Sequence, residues 1–357
     1  MPFAQPTLLS VGRATAGYAS FIVALFILSM LLPGPARAVG SAPPAASRRQ
    51  DRWSGLVLFG SSVIGAIAAE FAVGGLAALA RHYWSLLVAA NLLALAASVA
   101  LFVATSTGKR RQIGDFFFGN ARNPALCGLD LKMFSYRPSL IGLALLNLSV
   151  AALQWRTTGR ITLAMALYQI FTLLYVANYF HFERGMRFTW DIIEERFGWS
   201  LVWGDYVLVP AFYCLPGLYV LLRPDALPIA AVPPIAAAYT FGFWLFRGAN
   251  QQKHRFKEMP TAPIWGRPAS TVGGRLLVSG FWGIGRTLNY TGEFLMYLSW
   301  TLLAGFHCWI PYCVPVWLLG LLAHRAARDD RRCRAKYGEL WDEYCRHARF
   351  RMFPFLY

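Results

Sequence analysis

Charge is what this sequence has least of. Only 14% of its 357 residues are Asp, Glu, Lys or Arg, where soluble domains carry about 25%. Acid is scarcer than base, with 17 Asp and Glu against 34 Lys and Arg and a formal net charge of +17. Because 57% of the residues are hydrophobic, water is excluded as the main solvent of the fold. There is no Walker loop and no GxGxxG, so a conventional nucleotide fold is not signalled and any dinucleotide must be held by other means. The six cysteines (Cys127, Cys214, Cys308, Cys313, Cys333, Cys345) form no CxxC and no paired metal spacing. Neither a disulfide framework nor a structural zinc is expected from them. No internal repeat at a fixed period occurs. The basic excess raises the question of nucleic acid, but no motif of such proteins is present. Lys and Arg crowd instead into short segments (109–111, 325–334 and 346–351), the pattern of juxtamembrane cytosolic loops. No nucleic-acid partner is expected.

What the sequence does have is long apolar runs. About 20 residues at 1.5 Å each cross the hydrocarbon. Nine candidate spans follow: 18–32, 56–79, 83–104, 140–153, 162–180, 201–222, 227–246, 289–306 and 309–323, with a tenth around 276–284. The expected fold is all-α, a polytopic membrane bundle of about nine to ten helices with a C-terminal cofactor-binding subdomain. The first run ends in Pro33-Gly34-Pro35-Ala36-Arg37-Ala38, which looks like a signal-peptide cleavage site, yet Arg13 alone makes a thin n-region, so an uncleaved first helix is favoured. A Pro/Ala/Ser/Arg-rich linker occupies 40–52. Basic loops at 107–112, 247–257 and 324–336 are expected to face the cytosol. Three regions result: 1–110, 111–245 and 246–357.

Two regions place polar residues inside or beside apolar helices, where they are costly and usually line a cavity or pathway. The first runs from Asn178 through His181 and Glu183 to Trp190-Asp191, Glu194-Glu195 and Trp203-Gly-Asp205. Apolar surroundings make Asp191 and Asp205 candidate proton donors; helix capping and interfacial anchoring by Trp are the plainer alternatives. His181 and Glu183 read as interfacial polar residues rather than metal ligands. The second region is everything after Phe246. It holds a basic cluster (Arg247, Lys253, His254, Arg255, Lys257), then Arg286, Asn289-Tyr290 and Glu293, then Arg325, Asp329-Asp330, Cys333, Tyr337, Trp341 and Tyr344. Cations suit phosphates, a carboxylate suits a ribose hydroxyl and aromatic rings suit a planar ring system.

These residues carry a resemblance. Leu277-Val-Ser-Gly-Phe-Trp-Gly-Ile-Gly-Arg286, Asn289-Tyr290-Thr-Gly292, His324-Arg325, Arg328-Asp329-Asp330, Cys333…Lys336-Tyr337-Gly338 and Trp341…Tyr344-Cys345 resemble the C-terminal signature of the sterol reductases. That family includes the C14 and Δ7 enzymes and the reductase domain of the lamin B receptor. Asp115-Phe-Phe-Phe-Gly119, Asn123-Pro124 and Leu129-Asp-Leu-Lys-Met-Phe134 are similar to its other signature, so the likeness covers about residues 113–357. Leu167-Tyr-Gln-Ile-Phe171, Thr189-Trp-Asp-Ile-Ile-Glu-Glu-Arg196 and Phe246-Arg-Gly-Ala-Asn-Gln-Gln-Lys-His254 look most like C14 reductases. Phe197-Gly-Trp199 and Trp203-Gly-Asp205 lean toward Δ7 reductases. The chain departs from the pattern at Ala177-Asn178, where a Leu/Ile-Asp is usual, and at Thr287-Leu288, where a His-Pro or His-Cys is common.

The resemblance implies NADPH as cofactor, with Lys253 and Lys257 on its phosphates. It places Leu277, Trp282, Asn289, Tyr290, Asp329, Cys333, Arg334, Lys336, Tyr337 and Tyr344 around the rest, with Arg325 behind Asp329 or a phosphate. A sterol would enter sideways from the bilayer, with Trp190 and Asp205 as substrate contacts. Tyr344, assisted by Asp191, is the expected proton donor. The implied reaction is reduction of the C14–C15 bond of a Δ8,14-sterol by protonation and hydride transfer. Δ7 or C24(28) reduction is the alternative within the family, and an isoprenylcysteine-type methyltransferase or a non-enzymatic sterol-binding protein the alternatives outside it. The expected partners are a sterol and membrane lipid, with no oligomeric state assigned. The expected membrane is the endoplasmic reticulum in a eukaryote and the plasma membrane in a bacterium.

Overall fold

The computed structural model describes residues 3–32, 54–106, 113–224 and 227–356. The cleavage-like segment 33–38, the linker 40–52 and the basic cluster 109–111 lie outside them. The described residues are mostly helical, with two short strand pairs. Two compact units result, Met1–Leu222 and Arg223–Tyr357, each treated by itself below. Their boundary falls at 222/223. Val232–Glu258 is one unbroken helix, so its apolar start and basic end stay together.

Among the described residues, eight helices are long and apolar enough to cross a membrane, which makes the chain an integral membrane protein of the expected class. The count differs from the sequence reading in two places. The run at 289–306 forms a helix over Leu288–Leu302, 15 residues or about 22 Å long, short of the roughly 30 Å hydrocarbon. The run at 276–284 is not a span. Leu276–Leu277 pairs with Thr271–Val272, and Phe281–Ile284 adds a single helical turn. Moreover, the basic stretches 247–257 and 324–336 are not loops but the last turns of helices Val232–Glu258 and Cys313–Tyr337.

The first unit is organised around α6 (Leu131–Thr158), preceded by α1 (Leu8–Leu31), α2 (Ser54–Val73), α3 (Gly75–Arg81), α4 (Tyr83–Thr105) and α5 (Ile113–Phe118). Its start is set by Asp130, whose carboxylate accepts from the backbone N–H of Lys132 at 3.0 Å and of Met133 at 2.9 Å, the geometry of an N-cap. The helix therefore begins nine residues before the purely apolar run. It packs against α1, α2, α3, α7 (Leu163–His181) and α10 (Leu215–Leu222). Between them come α8 (Trp190–Ile193) and α9 (Trp199–Trp203). The chain then widens into π-type turns over Gly204–Phe212. Pro210 lies in that stretch and has no N–H to give, and the wider winding turns Asp205 into the interior, 7% exposed.

Two turns into α6 sits Arg137, fully buried. Its guanidinium binds both carboxylate oxygens of Glu183 (2.8 and 3.2 Å) and donates to Ser29 at 2.7 Å and Ser54 at 3.1 Å. Glu183 is thus a buried ion-pair partner and not the interfacial residue expected from sequence. In an apolar interior a guanidinium and a carboxylate persist only when every donor is met, so this pair ties α1, α2 and the segment after α7 to α6.

The second unit contains α11 (Val232–Glu258), strands β3 (Thr271–Val272) and β4 (Leu276–Leu277), α12 (Phe281–Ile284), α13 (Leu288–Leu302), α14 (Cys313–Tyr337) and α15 (Glu339–His347). A short β1–β2 pair, Ala125–Leu126 with Leu129–Asp130, belongs to the first unit. Helices α11 and α13 cross at Gly242 and Gly292. A Cβ on Gly292 would lie 2.5 Å from the Phe246 nitrogen, and one on Gly242 would lie 2.9 Å from the Gly292 carbonyl oxygen. Small residues let helix backbones touch in this way. The C-terminal tail is pinned by Asp330, which takes Arg286 at 3.0 Å, Arg351 at 3.1 Å and the Trp341 indole at 3.2 Å. Thr287 donates its hydroxyl to the Arg351 carbonyl at 2.6 Å. All six cysteines are free.

Replacing Arg137 with Met strands the Glu183 carboxylate in the interior. The expected loss is about 3–5 kcal/mol, read as a clear fall in the thermal unfolding midpoint in detergent. An unchanged midpoint would contradict the structural role given to this pair.

Candidate functional site

Helical spacing alone assembles one side of the site in the second unit. On α11, Phe246, Asn250, Lys253 and Lys257 recur at four- and three-residue steps and so share a face. On α14, Arg325, Asp329, Cys333 and Lys336 do the same. The one-turn helix α12 supplies Trp282, and α15 supplies Tyr344.

Trp282 joins these elements. Its indole N–H donates to the Ala249 carbonyl on α11 at 2.9 Å. Its own carbonyl accepts the Tyr344 hydroxyl at 3.2 Å. The Lys253 ammonium lies 4.3 Å from the centroid of its ring, a cation–π distance. Gln252 fixes the approach, with its side-chain oxygen accepting from the Phe281 backbone N–H at 2.9 Å. Leu277 is buried beside Trp282, Ala249, Phe281 and Leu288. Tyr344 stacks on Trp341, with centroids 4.9 Å apart, in a cluster that also holds Cys333 and Tyr337.

The charges gather at the rim. Lys257 has Lys253, Lys336, Arg332 and Asp329 within electrostatic reach, and Cys333 feels both Asp329 and Lys253. Lys253, Asp329 and Tyr344 therefore lie in one neighbourhood. The Cys333 thiol is 3.9 Å from the Asp329 carboxylate, and Arg332 is 4.0 Å from it. The Tyr337 ring is met by Lys336 at 5.1 Å and by Arg275 at 5.4 Å. Asn289 donates to Asn250 at 3.3 Å, while its side-chain oxygen is buried without a hydrogen-bond partner among the described residues. Tyr290 is half-buried one residue further along α13, and Arg325 is half-buried one turn before Asp329. Arg334 points elsewhere, pairing with Asp342 at 2.9 Å with both side chains more than half exposed. Burial pushes the Tyr344 hydroxyl above its ordinary pKa, against the opposing pull of Arg286.

Several cations sharing one rim repel one another unless an anion joins them. An orphaned buried amide oxygen calls for a donor. The donor set therefore fits a phosphorylated dinucleotide: amines for phosphate, an aromatic floor, and a buried acceptor for an amide N–H.

The first unit holds a second polar cluster, built on the opening turns of α6. The Lys132 ammonium, 1% exposed, donates to the carbonyls of Asp191 at 2.7 Å, Ile192 at 3.0 Å and Glu195 at 2.7 Å. Ser135 donates to Asp205, and Tyr136 donates to Asp191 at 3.1 Å. Trp190 donates its indole N–H to Glu195 at 2.7 Å. Asp191 and Asp205 are thus brought together by α6, while Tyr344 belongs to the other unit. Lys132, Ser135, Tyr136, Gln252 and Asp330 were not singled out as site residues. A lone Lys opening an apolar helix was the signal available for Lys132, since an intramembrane ionisable group is by default functional. The others give no signal outside the fold.

The sequence profile described as the Ergosterol biosynthesis ERG4/ERG24 family matches residues 14–357. The chain is 42% identical over 245 residues to a Delta(14)-sterol reductase of Arabidopsis thaliana, covering 69% of this chain and 66%, just under two thirds, of that relative. It is 36% identical over 364 residues to a Delta(14)-sterol reductase of Methylotuvimicrobium alcaliphilum, covering 97% of this chain and 83% of that one. A 7-dehydrocholesterol reductase of Xenopus laevis is 34% identical over 277 residues, covering 72% of this chain and 59% of the relative. With a profile matched over nearly its whole length, the chain belongs to the ERG4/ERG24 family, the sterol reductases.

Proposed function

We propose that the chain is an NADPH-dependent sterol C14 reductase that reduces the C14–C15 double bond of a Δ8,14-sterol in sterol biosynthesis. One observation carries the cofactor half of this reading: the junction at Trp282, with Lys253 over its ring and Tyr344 on its carbonyl. Relatives named Delta(14)-sterol reductase support the choice of double bond. The Xenopus relative supports Δ7 reduction as the second reading. The membrane is the endoplasmic reticulum where the cell has one and the plasma membrane otherwise.

Lys253 and Lys257 are exposed amines that would take the dinucleotide phosphates, with Lys336 beside them. Asp329 would accept from a ribose hydroxyl, and the orphaned Asn289 oxygen would accept from the amide of the ring. NADPH, when bound, supplies the hydride. The chain's own contribution is the proton and the exclusion of water. An isolated alkene carries no polarity for hydride attack, so proton delivery must precede or accompany it. Tyr344 keeps its proton at neutral pH, because burial raises its pKa, and donates it to the Trp282 carbonyl. As the donor it would turn to the alkene and leave a phenolate, which the neighbouring Arg286 charge favours. The buried Trp282, Leu277 and Trp341 keep water from a developing cation.

Incubating membranes that contain the chain with NADPH tritiated at the transferred position tests the reading. Label should appear at C14 of the Δ8-sterol formed from a Δ8,14-sterol. Label in a Δ7-sterol alone selects the second reading, and no label in any sterol rejects both. Removing one phosphate contact by Lys253→Ala should raise KM for NADPH about tenfold or more with a smaller change in kcat. An unchanged KM would remove Lys253 from the site.

A further inference from the structure

Beside the polar cluster of the first unit lies a tyrosine hydroxyl that none of the described residues satisfies. Tyr179, on α7, stacks its ring on Tyr136 with centroids 5.9 Å apart and planes 25° apart. Its hydroxyl is buried and has no hydrogen-bond partner among the described residues. Asp205, Glu183 and Arg137 lie within electrostatic reach of it. Glu183 is held by both arms of Arg137, and Asp191 receives Tyr136. Among the described residues Asp205 receives Ser135 on Oδ2, and each carboxylate oxygen can accept, so Oδ1 has capacity left. The site therefore offers one donor, the Tyr179 O–H, and one acceptor, Asp205 Oδ1. A buried polar pair of this kind expects a partner that can both accept and donate.

The chemistry of that partner is narrow. Tyr179, Ser135 and Asp205 all lie on helices of membrane-crossing length, so a lipid-soluble ligand reaches them most readily. The carboxylates of Asp191, Asp205 and Glu183 disfavour an anion, and Lys132 and Arg137 already serve the cationic role. A neutral alcohol on an otherwise apolar body fits. We propose that Tyr179 and Asp205 form a hydroxyl subsite that seats the single alcohol group of the sterol, the tyrosine donating to its oxygen and the carboxylate accepting its hydrogen. The identity of the ligand rests on the sterol reading above. Ser135 holds Asp205, and Tyr136 supports the Tyr179 ring, so both act as positioning residues.

Equilibrium binding to the purified full chain tests this, using a tritiated Δ8,14-3-hydroxysterol and its 3-O-methyl ether. The wild type should bind the alcohol about tenfold more tightly than the ether. Tyr179→Phe, which removes one oxygen and keeps the ring, should lose affinity for the alcohol alone, by several-fold to about tenfold. Equal wild-type binding of both sterols overturns the subsite, even if the variant does not fold. So does a Tyr179→Phe variant that weakens both alike or neither, which would leave a structural water only beside Tyr179. Reduction measured in parallel separates the two readings. Alcohol-selective binding without label transfer supports the subsite and sinks the reductase. Transfer without selectivity does the reverse.

Discussion

Inside an apolar bundle the ammonium of Lys132 has only protein oxygen to turn to, and three backbone carbonyls close around it. The same constraint acts on Arg137, whose donors go to Glu183, Ser29 and Ser54. A charge left short of partners there costs several kcal/mol, so each ion dictates which segments must meet. Lys132, Ser135, Tyr136 and Arg137 lie within two turns of one helix, and between them they hold the segment from Glu183 to Asp205. The Leu129-Asp-Leu-Lys-Met-Phe134 motif takes its meaning from this: Asp130 starts the helix, and Lys132 begins the series of tethers.

In the second unit Trp282 has the corresponding place. Its N–H, its carbonyl and its ring face serve three different elements. Lys253, over its ring, is exposed, whereas Lys132 and Arg137, which organise the first unit, are buried. The tail is fastened separately, through Asp330 and through the Thr287 hydroxyl on the Arg351 carbonyl. Thr287 thus has a structural use of its own.

Much of this was legible in the sequence. Apolar runs marked the spans, because length and hydropathy decide membrane crossing locally. The resemblance grouped Lys253 with Lys257, and Asp329 with Cys333 and Lys336; that each set shares a helix face follows from the helices Val232–Glu258 and Cys313–Tyr337. Boundaries were less legible. The helix containing Arg137 starts well before its apolar run, since a capping carboxylate sets its end and hydropathy does not. The stretches at 247–257 and 324–336 looked like loops because charge was read as solvent exposure, yet a helix can carry charge on turns that leave the apolar layer. Glu183 was misplaced for a related reason, as its partner lies 46 residues away in the chain.

The amino-acid sequence by itself determined the membrane class and the family, because those follow from local composition and from short motifs. Tertiary structure alone decided that Trp282 joins Lys253 to Tyr344, that Lys132 holds the segment after Trp190, and that the Tyr179 hydroxyl has no partner among the described residues. Each of these is a contact between segments far apart in the chain. Such contacts depend on which buried donors find acceptors once the helices have packed, and no local pattern records that outcome.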